Sequence, residues 1–221
     1  MRLLEAAGWA LLGAGAGYLV GWLCLKLEPG IGPMEEWERS GRSWIESLLL
    51  PGLGLLGFFM FFAREGAGTA VVIHSLWILV LIQILAFDLK HRLILDVVTL
   101  PAMVAGVALS LVSPDLSPFR SLFGLAVGGL ALLPFALVSS LFHHGEGFGW
   151  GDVKLGMVIG AVTGMSLNYG GLYTLWALVA GTLIGGVVTT LLLITRRLGL
   201  RDALPYGPFL VLGCGVILYF M

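Results

Sequence analysis

Eight runs of apolar residues follow one another along this 221-residue chain, and they constrain its fold more than any other feature. Charged residues make up only 11% of the sequence, whereas a typical soluble domain has about 25%. A helix needs about 20 apolar residues to cross the hydrocarbon core of a bilayer. The sequence therefore predicts an all-α polytopic membrane protein with about eight transmembrane helices.

Two of the eight predicted spans are short. They occupy residues 6–27, 48–63, 69–87, 95–113, 120–142, 153–166, 172–194 and 207–221. The runs at 48–63 and 153–166 are short and rich in glycine, which favours helices that are tilted or partly buried in the bundle. No internal repeat or low-complexity linker divides the chain, so residues 1–221 are predicted to form one membrane-embedded domain.

The basic residues predict how the chain is oriented in the membrane. If the eight spans alternate in direction, nine Lys and Arg residues fall on one side and three on the other. Cytoplasmic loops carry the excess of basic residues, so the first side is predicted to be cytoplasmic and both termini external. The polar segment 28–47 then becomes a short cytoplasmic loop, with Trp37 and Trp44 at the interface. Asp88 and Asp152 fall on the same cytoplasmic face.

Composition also argues against several classes of site. A formal net charge of −1 does not favour a nucleic-acid partner. Cys24 and Cys214 both lie inside apolar runs and form no CxxC pair, so neither a zinc site nor a disulfide framework is predicted. The adjacent pair His143-His144 is interpreted as a solvated interfacial pair, because neighbouring residues rarely share one metal ion. The sequence therefore predicts no metal and no cofactor.

Two aspartates at the ends of apolar runs are the candidate reactive groups, because an acid at this depth in a membrane protein usually has a function. Asp152 follows glycines at positions 147, 149 and 151, and it opens a span, where free backbone N–H groups favour a carboxylate. Asp88 closes a span, where the helix dipole disfavours the ionised form. The pair is predicted to perform acid–base chemistry on water and a peptide carbonyl, with Asp152 ionised and Asp88 protonated.

Other readings of these residues remain open at this point. Taken alone, Asp152 fits an ordinary helix N-cap, and Asp88 fits a solvated charge that pairs with Lys90 or Arg92. Intramembrane acids also serve proton or cation coupling in transporters and channels. The residues around the two aspartates are needed to choose between these readings.

Three stretches of the chain, taken together, resemble one family. They are Phe87-Asp88-Leu89-Lys90-His91-Arg92-Leu93-Ile94-Leu95-Asp96-Val97-Val98-Thr99-Leu100-Pro101, Gly149-Trp150-Gly151-Asp152-Val153-Lys154-Leu155 and Pro205-Tyr206-Gly207-Pro208-Phe209-Leu210. In this order they resemble the motifs of the type IV prepilin peptidases, which are membrane aspartyl proteases of the GxGD type. The resemblance covers roughly residues 70–221. It implies that Asp88 and Asp152 are the catalytic pair, supported by the motif residues Gly149, Gly151, Lys154, Asp96, Pro101, Pro205, Gly207 and Pro208.

The resemblance also implies a substrate and a location. Members of this family remove a short basic leader peptide from prepilins and pseudopilins at the cytoplasmic face of the prokaryotic inner membrane. The implied partners are therefore these leader peptides and membrane lipid. Presenilin and signal peptide peptidase also use a GxGD aspartate, but their C-terminal motif differs from Pro205-Tyr206-Gly207-Pro208.

This sequence departs from the family pattern in two places. Leu95 stands where the family usually has proline, which changes the bend of that span but removes no chemical group. Many bacterial members carry a large insert with CxxC pairs and N-methyltransferase activity after the first span. The corresponding segment here, residues 28–47, is short and has no cysteine, so the expectation is a peptidase that does not methylate its product.

Two charged residues of the motifs, Asp96 and Lys154, lie close to the aspartates in the sequence. Asp96 lies eight residues after Asp88, about two helical turns away, and matches a common polar position of the family motif, so a supporting role is expected. Lys154 is interpreted either as a cation acting on Asp152, as a ligand of phospholipid head groups, or as a lysine that extends to the membrane interface.

Overall fold

The computed structural model describes residues 2–28, 44–142, 149–167, 171–197 and 204–221, and every regular element in these ranges is helical. Eight α-helices follow one another along the described chain. Their bounds are α1 Arg2–Leu27, α2 Leu50–Glu65, α3 Thr69–His91, α4 Asp96–Leu109, α5 Pro118–Phe142, α6 Trp150–Thr163, α7 Tyr173–Ile194 and α8 Gly207–Phe220. A π-helical turn, Ile45–Leu49, leads directly into α2.

The helices coincide with the predicted apolar runs. Five of them are long and apolar enough to cross a membrane: α1, the π-turn together with α2, α3, α5 and α7. Helices α4 and α8 are shorter and apolar. The prediction of an all-α polytopic membrane protein is confirmed.

The chain divides into two compact units, Met1–Lys90 and His91–Met221. The division falls at the end of α3, immediately after Lys90. Asp88 therefore belongs to the first unit and Asp152 to the second. The expectation that residues 1–221 form one peptidase domain stays a prediction.

In the first unit, glycines bring the backbones of α1 and α2 into direct contact. A Cβ atom added to Gly13 would lie 2.3 Å from the carbonyl oxygen of Gly54, and one added to Gly54 would lie 2.2 Å from that of Gly13. Further along α1, a Cβ added to Gly21 would lie 3.0 Å from the Cβ of Glu46. Small residues permit this approach, which places the π-turn against the C-terminal half of α1.

In the second unit, α6 lies against α5 with equally close backbones. A Cβ added to Gly160 would lie 1.9 Å from the carbonyl oxygen of Gly124, and one added to Gly128 would lie 2.0 Å from that of Gly156. The hydroxyl of Ser121 donates a buried hydrogen bond of 2.6 Å to a carbonyl oxygen of α6. Helix α6 is thus enclosed by protein, and nine of its 14 residues are buried.

Helices α7 and α8 complete the second unit and use the same kind of contact. A Cβ added to Gly213 would lie 2.3 Å from the backbone nitrogen of Gly181. Between α6 and α7 the chain turns at Gly164, whose φ of 68° favours glycine. The hydroxyl of Thr174 donates a hydrogen bond of 2.9 Å to the carbonyl oxygen of Gly164, which ties the start of α7 to the end of α6.

The predicted loop 28–47 is too long at its C-terminal end. Trp44 is already helical, and the π-turn begins at Ile45. The prediction was wrong here because it included Glu46 in the polar loop, whereas this side chain is fully buried. Residues 29–43 of the predicted loop lie outside the described residues.

Candidate active site

Asp88 lies in the last turn of α3, as the sequence predicted. Its side chain is buried, with only 5% of the residue exposed, and the preceding residues Ile84, Leu85, Ala86 and Phe87 are buried as well. The reading of Asp88 as a solvated juxtamembrane charge is therefore wrong. A carboxyl group enclosed in this way, at the end of an apolar helix, is a candidate for acid–base chemistry.

Lys90, two residues after Asp88, is held by two carboxylates. Its Nζ atom donates hydrogen bonds to Oε1 of Glu28, at the end of α1, and to Oε1 of Glu46, in the π-turn. All three side chains are buried: Lys90 is 12% exposed, Glu28 8% and Glu46 0%. We call these three residues the lysine cluster. Sequence reasoning missed it, because it placed both glutamates in a solvated loop.

In the second unit, Asp152 is the third residue of α6, and Gly149 is the residue that caps this helix. The backbone N–H of Gly149 donates a hydrogen bond of 2.9 Å to Oδ2 of Asp152. The backbone N–H of Asp152 donates one of 3.1 Å to the carbonyl oxygen of Gly149. The side-chain bond is the acidic half of a capping box. The reading of Asp152 as the N-cap is thus wrong, because the N-cap is Gly149, three residues earlier. Asp152 lies in the first turn of α6 and is half-buried.

The two described glycines of the GxGD motif differ in their packing. Gly149 has φ −98° and ψ 166°, an extended conformation open to any residue, and a Cβ added there would come no closer than 3.8 Å to another atom. A Cβ added to Gly151 would lie 3.0 Å from the Cβ of Ile94. Gly151 therefore permits the segment before α4 to approach the start of α6. Gly147 lies outside the described residues.

Lys154 forms an ion pair with Asp96, which joins the starts of α6 and α4. Its Nζ atom lies 2.6 Å from Oδ1 and 2.7 Å from Oδ2 of Asp96. The pair is partly open to the surroundings, with 33% of the Lys154 side chain and 56% of the Asp96 side chain exposed. None of the three interpretations of Lys154 named this partner, a carboxylate on a neighbouring helix.

The prolines and the glycine of the remaining motifs shape helices and bring no reactive group. Pro101 lies inside α4, where it removes one backbone hydrogen-bond donor. Pro205 precedes α8, and Gly207 and Pro208 form its buried first turn. Proline is favoured at this position because the first N–H groups of a helix have no partner within the helix.

The structure therefore brings part of the predicted site together within the second unit. The starts of α4 and α6 hold Asp152, Gly149, Gly151, Asp96 and Lys154 in one region. Asp88 lies in the first unit, two residues before Lys90 of the lysine cluster. Each unit thus holds one carboxyl group at a helix end, buried at Asp88 and half-buried at Asp152, and a carboxyl group is able to transfer protons.

Within the described part of the chain, no three His, Cys, Asp or Glu side chains are grouped as metal ligands. The pair His143-His144, weighed above as a ligand pair, lies outside the described residues.

Comparison with known proteins supports the family suggested by the motifs. The model of the type IV leader peptidase family matches residues 75–192. A prepilin leader peptidase/N-methyltransferase of Burkholderia pseudomallei (strain 1026b) is 31% identical over 140 residues, which cover 63% of this chain and 43% of that protein. The protein of the same name from Bacillus subtilis (strain 168) is 34% identical over 144 residues, covering 65% and 52%.

These matches reach only part of the related proteins, because the matched segment spans about half of their length or less. No solved structure matches this chain. The family model, however, covers more than half of the chain and contains both Asp88 and Asp152. The chain belongs to the type IV leader peptidase family.

Proposed function

We propose that this protein is a membrane aspartyl endopeptidase that removes the basic leader peptide from type IV prepilin-like proteins. The observation that carries the proposal is the family match over residues 75–192, a segment that includes Asp88 and Asp152 as enclosed or half-buried carboxyl groups at helix ends. The names of the related proteins supply the class of substrate.

The proposed mechanism needs one ionised and one protonated aspartate. Asp152 is the proposed base, because it accepts a backbone N–H from Gly149 at the positive end of α6. It removes a proton from a water molecule, which attacks the scissile carbonyl carbon. Asp88, buried at the opposite kind of helix end, donates a hydrogen bond and then its proton to the carbonyl oxygen, which gives a gem-diol. Asp152 then gives the proton it took from water to the amine nitrogen as the C–N bond breaks, and Asp88 recovers its proton from a gem-diol hydroxyl as the new carboxyl group forms. The two groups share one proton through the cycle and titrate as a pair.

The proposed location follows from the distribution of basic residues. Nine of the twelve Lys and Arg residues fall on the predicted cytoplasmic side, together with both aspartates. We therefore propose that the active site faces the cytoplasm of a bacterium, in its inner membrane. The substrate there is a prepilin or pseudopilin whose apolar helix stays in the lipid while its basic leader is cut.

We further propose that the protein does not methylate the new N-terminus. The related proteins are named for both peptidase and N-methyltransferase activity. In this chain, segment 28–47 holds no cysteine, whereas the insert of the bifunctional family members carries CxxC pairs. Mass spectrometry of cleaved product with S-adenosylmethionine present tests this directly: an unmodified N-terminus is expected, and a gain of one methyl group contradicts it.

The peptidase proposal is tested with purified protein in detergent and a panel of prepilin peptides. Replacing either aspartate, as Asp88→Asn or Asp152→Asn, is expected to lower kcat by about 10²- to 10⁴-fold, the usual contribution of a general acid or base. Asp115→Asn is the matched control, because Asp115 is exposed in the segment between α4 and α5.

The products identify the reaction. N-terminal sequencing should find one cut, immediately before the apolar segment of the prepilin. Full cleavage by a folded Asp88→Asn or Asp152→Asn variant contradicts the two-aspartate mechanism. Flux of protons or cations without cleavage of any prepilin would favour the transporter reading instead.

A further inference from the structure

The lysine cluster joins three separate pieces of the first unit next to Asp88. Glu28 directly follows α1, Glu46 lies in the π-turn, and Lys90 lies in the last turn of α3. The two glutamates stand on either side of segment 29–43 in the sequence. The ammonium group of Lys90 therefore binds one carboxylate just before this segment and one shortly after it. Lys90 itself lies two residues after Asp88.

The lysine cluster is unusual because it holds three charged side chains that are almost completely enclosed by protein. Moving a carboxylate or an ammonium group out of water is costly, and a close, hydrogen-bonded partner is needed to offset that cost. Lys90 offsets this cost for both acids at once, since it donates a hydrogen bond to each. Such a group tolerates little displacement, because any shift leaves a buried charge without its partner.

Two local features are arranged to bring Glu46 to Lys90. The π-helical turn inserts Glu46 toward the protein interior, and single π-turns occur frequently at functional sites. Gly21 of α1 faces this position, and a Cβ there would lie only 3.0 Å from the Cβ of Glu46. A larger residue at position 21 would push the π-turn away from α1.

The ion pairs of Lys90 attach the last turn of α3, which contains Asp88, to the rest of the first unit. The last carbonyl groups of a helix have no partners within it, and terminal turns fray for that reason. Asp88 lies three residues before the end of α3 at His91, inside this last turn. Lys90 lies in the same turn and connects it to two other elements.

We propose that Lys90 is a positioning residue, which fixes the last turn of α3 and thereby holds the Asp88 carboxyl group in place for catalysis. Its ammonium group touches Glu28 and Glu46, and its proposed effect on the reaction passes through the backbone that these contacts anchor. This inference rests on the proposed function, in which Asp88 is one of the two catalytic residues.

The test separates the rate of the chemical step from substrate binding. Lys90→Met removes the ammonium group at similar length and is expected to lower kcat about 10- to 100-fold, since a small misplacement of a catalytic group has effects of this size. KM should change less than about twofold, because no substrate contact is lost. Lys90→Arg keeps the charge and should restore part of the lost rate.

The matched control is Lys26→Met, which makes the same chemical change near the end of α1. The Nζ atom of Lys26 lies over the ring of Trp22, 3.9 Å from its centroid, and Lys26 is exposed. This variant is expected to keep the kcat and KM of the unmodified protein. If both lysine variants lower kcat equally, the effect is a general one of lost charge and the positioning role is overturned.

A second pair of variants covers the case in which Lys90→Met does not fold. Glu28→Gln and Glu46→Gln each leave Lys90 one carboxylate partner, and each should lower kcat by a smaller factor with KM unchanged. Folding is checked by size-exclusion chromatography in detergent. If folded variants at positions 28, 46 and 90 all keep the original kcat, or lose activity only through KM, the positioning role is overturned.

The outcome for Asp88→Asn distinguishes the two proposals. If this variant is inactive while Lys90→Met keeps full kcat, the peptidase mechanism stands and the positioning role of Lys90 fails. If Asp88→Asn cleaves prepilin normally, the two-aspartate mechanism itself fails.

Discussion

The two units carry the same short sequence pattern, Asp-x-Lys, and use it in opposite ways. In the first unit, Asp88 and Lys90 lie at the end of a helix, and the lysine is buried between two carboxylates. In the second unit, Asp152 and Lys154 lie at the start of a helix, and the lysine pairs with one half-open carboxylate, Asp96. The spacing is identical, but the surroundings of the lysine differ.

This difference shows that local sequence does not decide what a charged residue contributes. A buried ion cluster carries a large penalty when one member is lost, whereas an exposed ion pair contributes little to stability. Lys90 is therefore expected to matter for the integrity of its unit. Lys154 is expected to adjust the placement of two helix starts without determining the fold of its own unit.

The largest expected effect is a loss of stability when the buried lysine of the first unit, Lys90, is replaced. Lys90→Met should lower the free energy of unfolding by about 3–5 kcal/mol, because it leaves Glu28 and Glu46 buried without their cation. Denaturant unfolding in detergent, followed by tryptophan fluorescence, measures this change. A loss below about 1 kcal/mol, the size expected for an exposed pair, would mean that the two lysines are equivalent after all.

A smaller effect is expected from the glycines before Asp152. Gly151→Ala brings a Cβ to within 3.0 Å of the Ile94 Cβ, which lies close to the backbone and has little freedom to move aside. The start of α6 must then shift by a few tenths of an ångström, and we expect kcat to fall about tenfold. Gly149→Ala is the matched control, because its added Cβ makes only ordinary contacts. Equal rates for the two alanine variants would show that the approach of Ile94 is unimportant.

The smallest effect is expected at the exposed pair. Lys154→Met or Asp96→Asn should lower the free energy of unfolding by less than about 1 kcal/mol, because water and salt already screen much of the attraction. Unfolding measured at low and high salt checks the physical cause, since the difference from the unmodified protein should shrink as salt is added. A decrease of several kcal/mol in the free energy of unfolding, unchanged by salt, would contradict this prediction. It would show that the pair stabilises the protein as strongly as a buried ion cluster does.

The sequence predicted the helices well because lipid imposes a simple requirement on them. The predicted run 69–87 became α3, Thr69–His91, and the run 172–194 became α7, Tyr173–Ile194. An apolar stretch of this length has few alternatives to a helix in a membrane, because its backbone groups must be satisfied internally. The positions of Asp88 and Asp152 at helix ends followed from the same reasoning.

The same reasoning did not predict the lysine cluster. Glu46 follows a polar segment and looks like a loop residue, yet it is fully buried in a π-turn. Its partner Lys90 lies 44 residues away in the sequence, and nothing in the local pattern connects them. Pairings of this kind depend on how helices pack, and a single sequence does not encode them in any local signal. The ion pair of Lys154 with Asp96, 58 residues apart, was missed for the same reason.

The close packing of α6 against α5 has a consequence for how the protein enters the membrane. Helix α6 has 14 residues and spans about 21 Å, less than the roughly 30 Å of a bilayer core. It is also absent from the helices that are apolar enough to cross on their own. A segment of this kind has little tendency to leave the translocation machinery for lipid by itself. We therefore expect α5 to stay in the translocation machinery until α6 has been synthesised. Both helices would then enter the lipid together, as one hairpin joined through Gly124 and Gly160.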